Sequence, residues 1–336
     1  MIFVTGGTGL LGSNLLVELT KTSDDITAIY RDKSKIARVE TLFEKLDAQH
    51  GKTNFKKINW VYCDVLDLVS LEEAMQNAEY VFHCAALVSF RRRDFPQMMK
   101  INRRGTFNIV NLCLDLKVKK LIYVSSTAAV GKDQIGEKSL VVETNKWVQS
   151  PQTSGYSISK YSAEKEVWRG VEEGLNCVIV NPCVIFGPGS WNESSLTIFR
   201  TVEKGLRFYT EGTNAIVDVR DVAEIMVRLT QSDIKNERFL CIGENLPFRK
   251  MTDEIADQMG KKRASMATPR WLIGLAWRIS ALTGLIRGKA PAVTKDSAHS
   301  AFSKMEYDAS KVRERLNFSF RSYKDTVENV LKAHHS

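Results

Sequence analysis

The stretch MIFVTGGTGLLGSNLLVELTK (residues 1–21) decides the fold class of this chain. It begins with an apolar run typical of a buried strand and ends with the apolar periodicity of an amphipathic helix. Between the two, Gly6, Gly9 and Gly12 permit a tight turn, a close approach of backbone to a ligand, and close contact of helix with strand. Because the free N–H groups of a helix N-terminus attract phosphate, this order predicts a dinucleotide-binding loop rather than a plain turn.

Strand patterns alternate with helical patterns through the first half of the chain. The strands are expected at residues 2–4, 26–30, 58–62, 80–85, 120–126 and 176–182. This alternation predicts an α/β fold with a doubly wound parallel sheet of the Rossmann type. We assign residues 1–186 to this domain, together with a return segment at about residues 215–231. Residues 187–214 and 232–336, which include an apolar run at 238–243, are assigned to a smaller, mostly helical substrate-binding lobe.

Composition limits the classes of partner. The chain has 336 residues, is 43% hydrophobic and 26% charged, and carries a formal net charge of +9, which is the profile of a soluble globular protein. A net positive charge is compatible with binding to nucleic acid, to an acidic membrane surface or to an anionic small molecule. The basic run Arg91–Arg93 lacks interleaved aromatic residues and a basic face, so we expect no nucleic-acid partner.

The cysteine and apolar patterns predict a reduced, cytoplasmic protein without a transmembrane segment. The six cysteines form no CxxC pair and lie mostly in apolar runs. An apolar strand starts at the second residue, so we expect no cleaved secretion signal. The longest apolar stretch, Trp271 to Ile286, contains Arg278 and is shorter than the roughly 20 residues of a spanning helix. The histidines lack metal-ligand spacing, and we expect no bound metal.

The end of the second predicted strand indicates which dinucleotide binds. Tyr30 and Arg31 close this strand, and Lys35 follows at the start of the next helix. A basic cluster suits the 2′-phosphate of NADP(H), whereas an NAD(H) site usually has an acidic residue that accepts the ribose hydroxyl. NADP(H) is therefore the preferred cofactor. Asp32 keeps NAD(H) open as the alternative.

The stretch GYSISKYSAEKE (residues 155–166) carries the candidate chemistry. Tyr156 and Lys160 are four residues apart, so they lie on one face of the predicted helix. A free phenol has a pKa of about 10, and a neighbouring ammonium group lowers that pKa towards neutrality. We therefore expect Lys160, helped by the oxidised nicotinamide of the dinucleotide, to lower the pKa of Tyr156, so that the phenol exchanges a proton with a substrate oxygen.

Eight motifs in one order resemble the extended short-chain dehydrogenase/reductase superfamily, and within it the dihydroflavonol-reductase-like and 3β-hydroxysteroid-dehydrogenase-like branch. The motifs are TGGTGLLG at residues 5–12, CDVLD at 63–67, HCAA at 83–86, NRRGT at 102–106, YVSSTAAVG at 123–131, YSISK at 156–160, NPCVIFGPG at 181–189 and VDVRDVA at 217–223. The last third of the chain matches this pattern only loosely. The resemblance implies an NAD(P)-dependent oxidoreductase with a Tyr-Lys-Ser/Thr proton relay.

The resemblance also implies roles for individual residues. The catalytic hydroxyl falls on Thr127, the third residue of the SST run, with Ser126 as the open alternative, and Asn102 braces the active-site helix. Tyr156 and Lys160 serve both catalysis and cofactor binding. The other implied cofactor contacts are Gly6, Thr8, Gly9, Leu10, Leu11, Gly12, Tyr30, Arg31, Lys35, Asp64, Val65, Ala85, Ala86, Ser125, Pro182 and Val184.

Departures from the motif pattern bear on the reaction. Ala128 and Ala129 stand where the sugar dehydratases that this chain resembles carry acidic residues, and Asn214 stands where many UDP-sugar enzymes carry an arginine. We therefore expect an NADP(H)-dependent interconversion of a ketone and a secondary alcohol on a moderately apolar small molecule. Two alternatives stay open: a nucleotide-sugar epimerase, dehydratase or reductase of the same superfamily, and a non-enzymatic NADPH sensor. Sensors of this fold typically lose the tyrosine and lysine that this chain keeps.

Apolar side chains near the expected cleft form the candidate substrate site, with core packing as the alternative for each. They are Val88, Phe90, Phe186, Trp191, Phe208 and Tyr209. The basic, apolar stretch Lys261 to Lys289, with its helix at 269–289, is predicted to cover the cleft or the lobe, with contact to an anionic membrane surface as the alternative. The resemblance implies a homodimer joined through helices near residues 98–116 and 157–173.

Overall fold

The computed structural model describes residues 1–131, 139–151, 153–269 and 301–335. The strands are β1 (Ile2–Thr5), β2 (Ile26–Tyr30), β3 (Ile58–Tyr62), β4 (Tyr80–His83), β5 (Lys120–Val124), β6 (Ser139–Val141), β7 (Cys177–Pro182), β8 (Val184–Phe186), β9 (Phe208–Tyr209), β10 (Thr213–Asp218), β11 (Glu237–Cys241), β12 (Glu244–Pro247), β13 (Met266–Ala267) and β14 (Met305–Tyr307). The helices are α1 (Leu10–Leu19), α2 (Ser34–Leu46), α3 (Gly51–Phe55), α4 (Leu68–Met75), α5 (Phe95–Met98), α6 (Gly105–Asp115), α7 (Gly155–Glu172), α8 (Thr197–Glu203), α9 (Val219–Gln231), α10 (Phe248–Gln258), α11 (Ser310–Leu316) and α12 (Tyr323–His335). A π-helical segment, Met99–Arg104, joins α5 to α6.

Seven parallel strands form the central sheet, in the order β11-β7-β5-β4-β1-β2-β3. The strands in the middle of this sheet are buried on both faces, and β7 is buried at every residue. This is why they read as continuous apolar runs rather than as alternating patterns. The chain moves outward on one side from β1 to β3 and then returns to place β4 beside β1, which opens a crevice at the carboxyl ends of β1 and β4. The predicted doubly wound α/β fold is confirmed.

Helices cover both faces of the sheet. On one face α1, α2 and α9 pack around fully buried residues such as Leu15 and Met226. On the other face α4, α6 and α7 pack around residues such as Leu71 and Val167. Because α7 lies directly on the sheet, the side chains on its inner face reach the carboxyl ends of β5 and β7.

The C-terminal third builds a lobe with its own apolar core. A three-stranded sheet of β12, β10 and β8 forms part of it, and the pairs β13–β9 and β14–β6 add two small parallel ribbons. The lobe core includes Phe186, Phe199, Ile216, Ile255 and Val327, which come from β8, α8, β10, α10 and α12. The lobe thus begins directly after β7, at the edge of the crevice.

Two strands lie in a different sheet from the one that the sequence pattern indicates. β11, which we assigned to the lobe within 232–336, pairs in parallel with β7 and completes the central sheet. β10, in the return segment 215–231, pairs with β8 and β12, and only α9 returns to pack on α1. The physical reason is that an apolar pattern predicts a strand but not its neighbour, since several buried strands offer the same surface.

Most of the basic, apolar stretch Lys261 to Lys289 lies outside the described residues, which stop at 269 and resume at 301. The part before this gap contributes β13, which pairs with β9. Among the helices of the described ranges, none has the length and apolar content needed to cross a membrane.

Candidate active site

The glycine-rich loop lies between β1 and α1, at the crevice. Gly6 has a φ of +70°, a conformation that favours glycine, and a Cβ there would lie 2.7 Å from the Ala85 nitrogen. A Cβ on Gly12 would lie 2.1 Å from the Gly6 carbonyl oxygen. Both positions therefore require glycine, because the loop packs its backbone against β4 and against the first turn of α1.

This loop offers backbone N–H groups to an anion. The side chains of Leu10 and Leu11 pack into the protein interior, so only their backbone can face the crevice. The Gly9 N–H donates to the Gly6 carbonyl oxygen at 2.9 Å and closes the turn, with Thr8 half buried beside it. The first N–H groups of a helix have no partner within the helix and carry partial positive charge. The loop thus fits a pyrophosphate group.

The ends of β2 and β3 form the neighbouring part of the site. Arg31 Nη1 lies 3.6 Å from Asp64 Oδ2, and both side chains are partly exposed. The Asp32 carboxylate accepts hydrogen bonds from the hydroxyl and the N–H of Ser34 at 2.6 and 3.0 Å, and these bonds lower its pKa. Lys35 follows in the first turn of α2. Both acidic side chains of this cluster are therefore engaged, Asp32 by Ser34 at the start of α2 and Asp64 by Arg31.

The remaining predicted cofactor contacts lie along the same edge, since parallel strands all end on one side of the sheet. At or just after these ends the structure places Tyr30 (β2), Asp64 and Val65 (β3), Ala85 and Ala86 (β4), Ser125 (β5), Pro182 (β7) and Val184, which begins β8. One of these side chains is already engaged: the Ser125 hydroxyl donates to Glu164 Oε2 at 2.5 Å.

Tyr156 lies in the first turn of α7. Ser154 caps this helix by accepting a hydrogen bond from the Ser157 N–H at 3.1 Å. The side chain of Ser126, which follows β5, is close enough to the Tyr156 phenol to act on its pKa. Burial raises the pKa of Tyr156, and Ser126 lowers it by less, so the net shift is upward. We expected Lys160 to lower this pKa. That expectation is wrong for this structure, because burial of the phenol dominates.

The two candidate hydroxyls act on different phenols. The Ser126 side chain acts to lower the pKa of Tyr156, whereas the Thr127 side chain acts to lower the pKa of Tyr307. Ser126 has extended backbone angles, with φ −163° and ψ 153°, and its hydroxyl oxygen accepts a bond from the Ala128 N–H at 3.2 Å. Thr127 begins a short 3-10 helix, Thr127–Ala129, so the backbone changes conformation between the two residues.

Lys160 is fully buried and lies one turn after Tyr156. Its Nζ donates to the Tyr123 hydroxyl at 3.1 Å and to the Val124 carbonyl oxygen at 2.9 Å. Burial lowers the pKa of Lys160 to about 8, and the Glu164 carboxylate partly offsets that effect. An ammonium group has three N–H donors, so one donor remains for a ligand or for the phenol.

A chain of buried hydrogen bonds connects the glycine-rich loop to α6. His83 Nδ1 lies 2.7 Å from Thr5 Oγ1, and His83 Nε2 lies 3.0 Å from Thr106 Oγ1. Because Thr106 donates its only proton to the Asn102 carbonyl oxygen, Nε2 must carry the ring proton and Thr5 must donate to Nδ1. Burial lowers the pKa of His83 to about 3, which keeps the ring neutral. Thr5 Oγ1 in turn accepts from the Ala85 N–H at 3.1 Å, so the chain fixes the loop after β4.

Asn102 joins the loop after β4 to α7. It lies in the π-helical segment and is 1% exposed. Its Oδ1 accepts from the Leu87 N–H at 2.7 Å, and its Nδ2 donates to the Leu87 carbonyl oxygen and to Ser159 Oγ, each at 3.0 Å. π-helical insertions are frequent at functional sites, and this one brings an amide between two segments that line the crevice.

The sequence analysis missed a buried ion pair on the same face of α7. Glu164 Oε1 lies 3.0 Å from Arg238 Nη1, and Glu164 Oε2 accepts from Ser125 Oγ and from Asn181 Nδ2 at 2.5 and 2.8 Å. The spacing of Glu164, eight residues after Tyr156, was the available signal. Its partner could not be found, because Arg238 lies on β11, the strand that the sequence pattern indicated for the lobe.

Two of the predicted substrate contacts lie near Tyr156. Val88 and Phe90 follow β4 and are 48% and 50% exposed. The Phe90 ring meets the Tyr156 ring edge to face, with 5.8 Å between centroids. An exposed aromatic side chain in contact with Tyr156 is well placed to touch a bound substrate.

The other predicted substrate contacts lie in the lobe. Phe186 and Trp191 are buried and pack against Phe199 in the lobe core. The structure thus gives both side chains the packing role that was the open alternative. Tyr209 is half buried, and the Arg249 guanidinium lies 4.4 Å from its ring centroid.

The buried Lys160 predicts an unusual pH dependence of stability. Its pKa falls from 10.5 to about 8 on folding, so between these pH values the unfolded chain holds a proton that the folded chain has lost. Stability therefore rises with pH in this window. Relative to Lys160→Met, we expect the wild-type protein to gain about 2 kcal/mol of unfolding free energy between roughly pH 7.5 and 9.5. Urea unfolding of both proteins at the two pH values measures this, and a constant difference would contradict the buried ammonium.

Comparison with known proteins agrees with this geometry. The sequence pattern of the NAD dependent epimerase/dehydratase family matches residues 2–243. A putative dihydroflavonol 4-reductase of Synechocystis is 27% identical over 98% of this chain and 93% of its own length. The anthocyanidin reductase of Arabidopsis thaliana is 28% identical over 77% of this chain and 80% of its own length.

A solved structure shares the fold at lower sequence identity. The UDP-glucose 4-epimerase of Thermotoga maritima, solved with UDP-glucose, superposes with a TM-score of 0.75 at 19% identity, covering 99% of this chain and 98% of that one. The family match spans the glycine-rich loop, the crevice and the first turns of α7. The chain therefore belongs to the NAD dependent epimerase/dehydratase family, and it is an NAD(P)-dependent oxidoreductase of the extended short-chain dehydrogenase/reductase type.

Proposed function

We propose that this enzyme is an NADP(H)-dependent carbonyl reductase that interconverts a ketone and a secondary alcohol on a moderately apolar small molecule. The observation that carries the proposal is the position of Tyr156 in the first turn of α7, one helical turn before the buried Lys160, whose Nζ donates to the Val124 carbonyl oxygen at the carboxyl end of β5. A phenol, a hydroxyl and an ammonium group in one polar pocket supply both a proton and hydrogen bonds to a carbonyl oxygen.

Each of the three side chains has a distinct task in reduction. A dinucleotide held at the glycine-rich loop and the N-terminus of α1 would supply the hydride for the carbonyl carbon. Tyr156 donates its proton to the carbonyl oxygen as charge develops there, and its raised pKa keeps that proton in place at neutral pH. Ser126 donates a hydrogen bond that orients the same oxygen. The remaining N–H of Lys160 stabilises the phenolate that Tyr156 becomes.

The proposed preference for NADP(H) rests on the charges at the end of β2. Arg31 and Lys35 are cationic, and the Asp32 carboxylate is engaged by Ser34, so no free carboxylate in the described residues of this cluster faces the ribose. A guanidinium group recognises a phosphate better than a hydroxyl. Gly6, Gly12 and the N-terminus of α1 suit the pyrophosphate of either dinucleotide.

Titration and turnover together test the proposal. We expect NADPH to bind at least tenfold more tightly than NADH, and we expect a panel of aryl ketones, sterol ketones and flavonoids to include compounds whose addition lowers NADPH absorbance. Failure to bind either dinucleotide would overturn the proposal. Turnover restricted to nucleotide sugars would favour the epimerase or dehydratase alternative. Tight NADPH binding without turnover of any carbonyl compound would favour the sensor alternative.

We also propose the homodimer that the resemblance implies. α6 and α7 pack side by side on one face of the sheet, and they overlap the segments near residues 98–116 and 157–173 that the resemblance implies for the interface. Cytoplasmic location stays a prediction.

A further inference from the structure

A cavity lies beside the first turn of α7, on the side of Tyr156 where Phe90 stands. It has a volume of about 310 Å³. Its lining residues are Ser89, Phe90, Arg91, Arg92, Phe95, Met98, Gly155 and Ile158. The cavity thus begins at the residue that precedes Tyr156 and includes the ring that contacts Tyr156.

Part of the cavity wall is apolar. Phe90, Phe95, Met98 and Ile158 supply it, and a Cβ on Gly155 would lie only 3.0 Å from Phe95 Cδ2. The close approach of α5 to the start of α7 therefore shapes this wall. A cavity of roughly 300 Å³ or more with aromatic walls and few polar groups is typical of small-molecule sites.

The polar part of the wall is cationic. Ser89 Oγ and Arg91 Nε both bond to Asp94 Oδ2, at 2.6 and 2.8 Å, and the Arg91 N–H donates to Ser89 Oγ at 3.2 Å. This closed ring fixes the loop and neutralises one guanidinium. The Arg92 side chain is exposed and, within the described part of the chain, forms neither a hydrogen bond nor an ion pair. The cavity therefore keeps one positive charge that no neighbouring side chain in the described residues balances.

We propose that this cavity holds an anionic group of the substrate, so that the carbonyl compound carries a carboxylate or phosphate on an aromatic or apolar body. The inference rests on the proposed reductase function and specifies its substrate class. Phe90 and Phe95 contact the body, Arg92 forms a charge-assisted hydrogen bond with the anionic oxygens, and the N-terminus of α7 adds partial positive charge. The carbonyl group is thereby directed to Tyr156.

Three ketones that share one aryl ketone scaffold test this substrate class. They are 4-acetylbenzoate, 4-acetylphenyl phosphate and the neutral methyl ester of 4-acetylbenzoate. We expect the wild-type enzyme with NADPH to reduce at least one anionic ketone with a kcat/KM about tenfold or more above that of the ester. The two anionic compounds distinguish a carboxylate from a phosphate requirement.

Variants of the arginine run supply the matched comparison. Arg92→Ala should bring the ratio of anionic to neutral kcat/KM to within about twofold, mainly through KM for the anionic ketone, and Arg92→Glu should bring it below one. Arg93→Ala removes an adjacent exposed guanidinium that lies 3.8 Å from Asp94 Oδ1 and does not line the cavity, and it should keep the wild-type ratio.

The outcomes separate this inference from the proposed function. Equal kcat/KM for all three ketones in the wild-type enzyme would overturn the anionic substrate and leave the reductase function standing. If none of them turns over, calorimetric titration of NADP⁺-saturated protein with 4-acetylbenzoate and 4-acetylphenyl phosphate decides the question. Binding of either ligand that Arg92→Glu abolishes supports the site, and absence of binding overturns it. Failure to bind any dinucleotide would instead defeat the proposed function.

Discussion

Tyr156→Phe is expected to lower kcat for carbonyl reduction by about 10²- to 10⁴-fold while changing the dissociation constant of NADPH by less than about threefold. The substitution removes one oxygen from a ring that otherwise keeps its contact with Phe90, so the fold is retained. Without the phenol, the group that donates a proton to the carbonyl oxygen is lost. Ser126 can then supply only a hydrogen bond to the charge that develops on that oxygen. Steady-state kinetics and fluorescence titration with NADPH measure the two quantities.

Tyr161→Phe is the matched control for this prediction. Tyr161 lies on the same helix, where its ring stacks on Trp147 with 4.1 Å between centroids. Loss of its hydroxyl should leave kcat within about twofold of the wild-type value. An equal loss of activity in both variants would show that Tyr156 acts through the stability of α7 rather than as a proton donor.

The same kinetic assay distinguishes the roles of Ser126 and Thr127, the two candidate hydroxyls of the SST run. Ser126→Ala removes the hydroxyl that acts on the Tyr156 phenol and should lower kcat by about tenfold or more. Thr127→Ala removes a hydroxyl that acts on Tyr307 and should affect mainly the free energy of unfolding. A larger loss of kcat in Thr127→Ala than in Ser126→Ala would assign the orienting role to the Thr127 hydroxyl.

The second large effect is expected on stability. Glu164→Ala should lower the free energy of unfolding by about 3–5 kcal/mol, because it leaves the Arg238 side chain, which is only 18% exposed, without its carboxylate. It also removes the acceptor of Ser125 Oγ and Asn181 Nδ2. Domains of this kind are commonly stable by only about 5–15 kcal/mol, so the change is a large share of the total. Urea unfolding followed by circular dichroism measures it.

Glu173→Ala is the matched control, because it removes one partner of an exposed ion pair on the same helix. Glu173 pairs with Arg169 four residues earlier and its side chain is 48% exposed. Its removal should cost less than about 1 kcal/mol, since solvent screens such a pair. A cost for Glu164→Ala as small as that of the control would mean that the Glu164–Arg238 pair contributes no more than a surface ion pair. A double-mutant cycle with Arg238→Ala isolates the coupling between the two side chains.

The first half of the chain could be read from its sequence because its signals are local. The turn at Gly6 and Gly12 depends on residues within one strand and one helix, and the helical spacing of Tyr156 and Lys160 places them on one face of α7. The doubly wound sheet followed from the alternation of strand and helix patterns, and the structure and the family match confirm it.

Contacts between distant segments were decided only by the tertiary structure. The sequence could not pair Arg238 with Glu164 or place β11 beside β7, because each contact depends on segments that are remote along the chain. It also misjudged the pKa of Tyr156, since spacing predicts which charges are near but not how much water burial removes. Local periodicity thus determined the elements and the order of the motifs. The packing of helix on sheet decided which side chains meet and in which state of protonation.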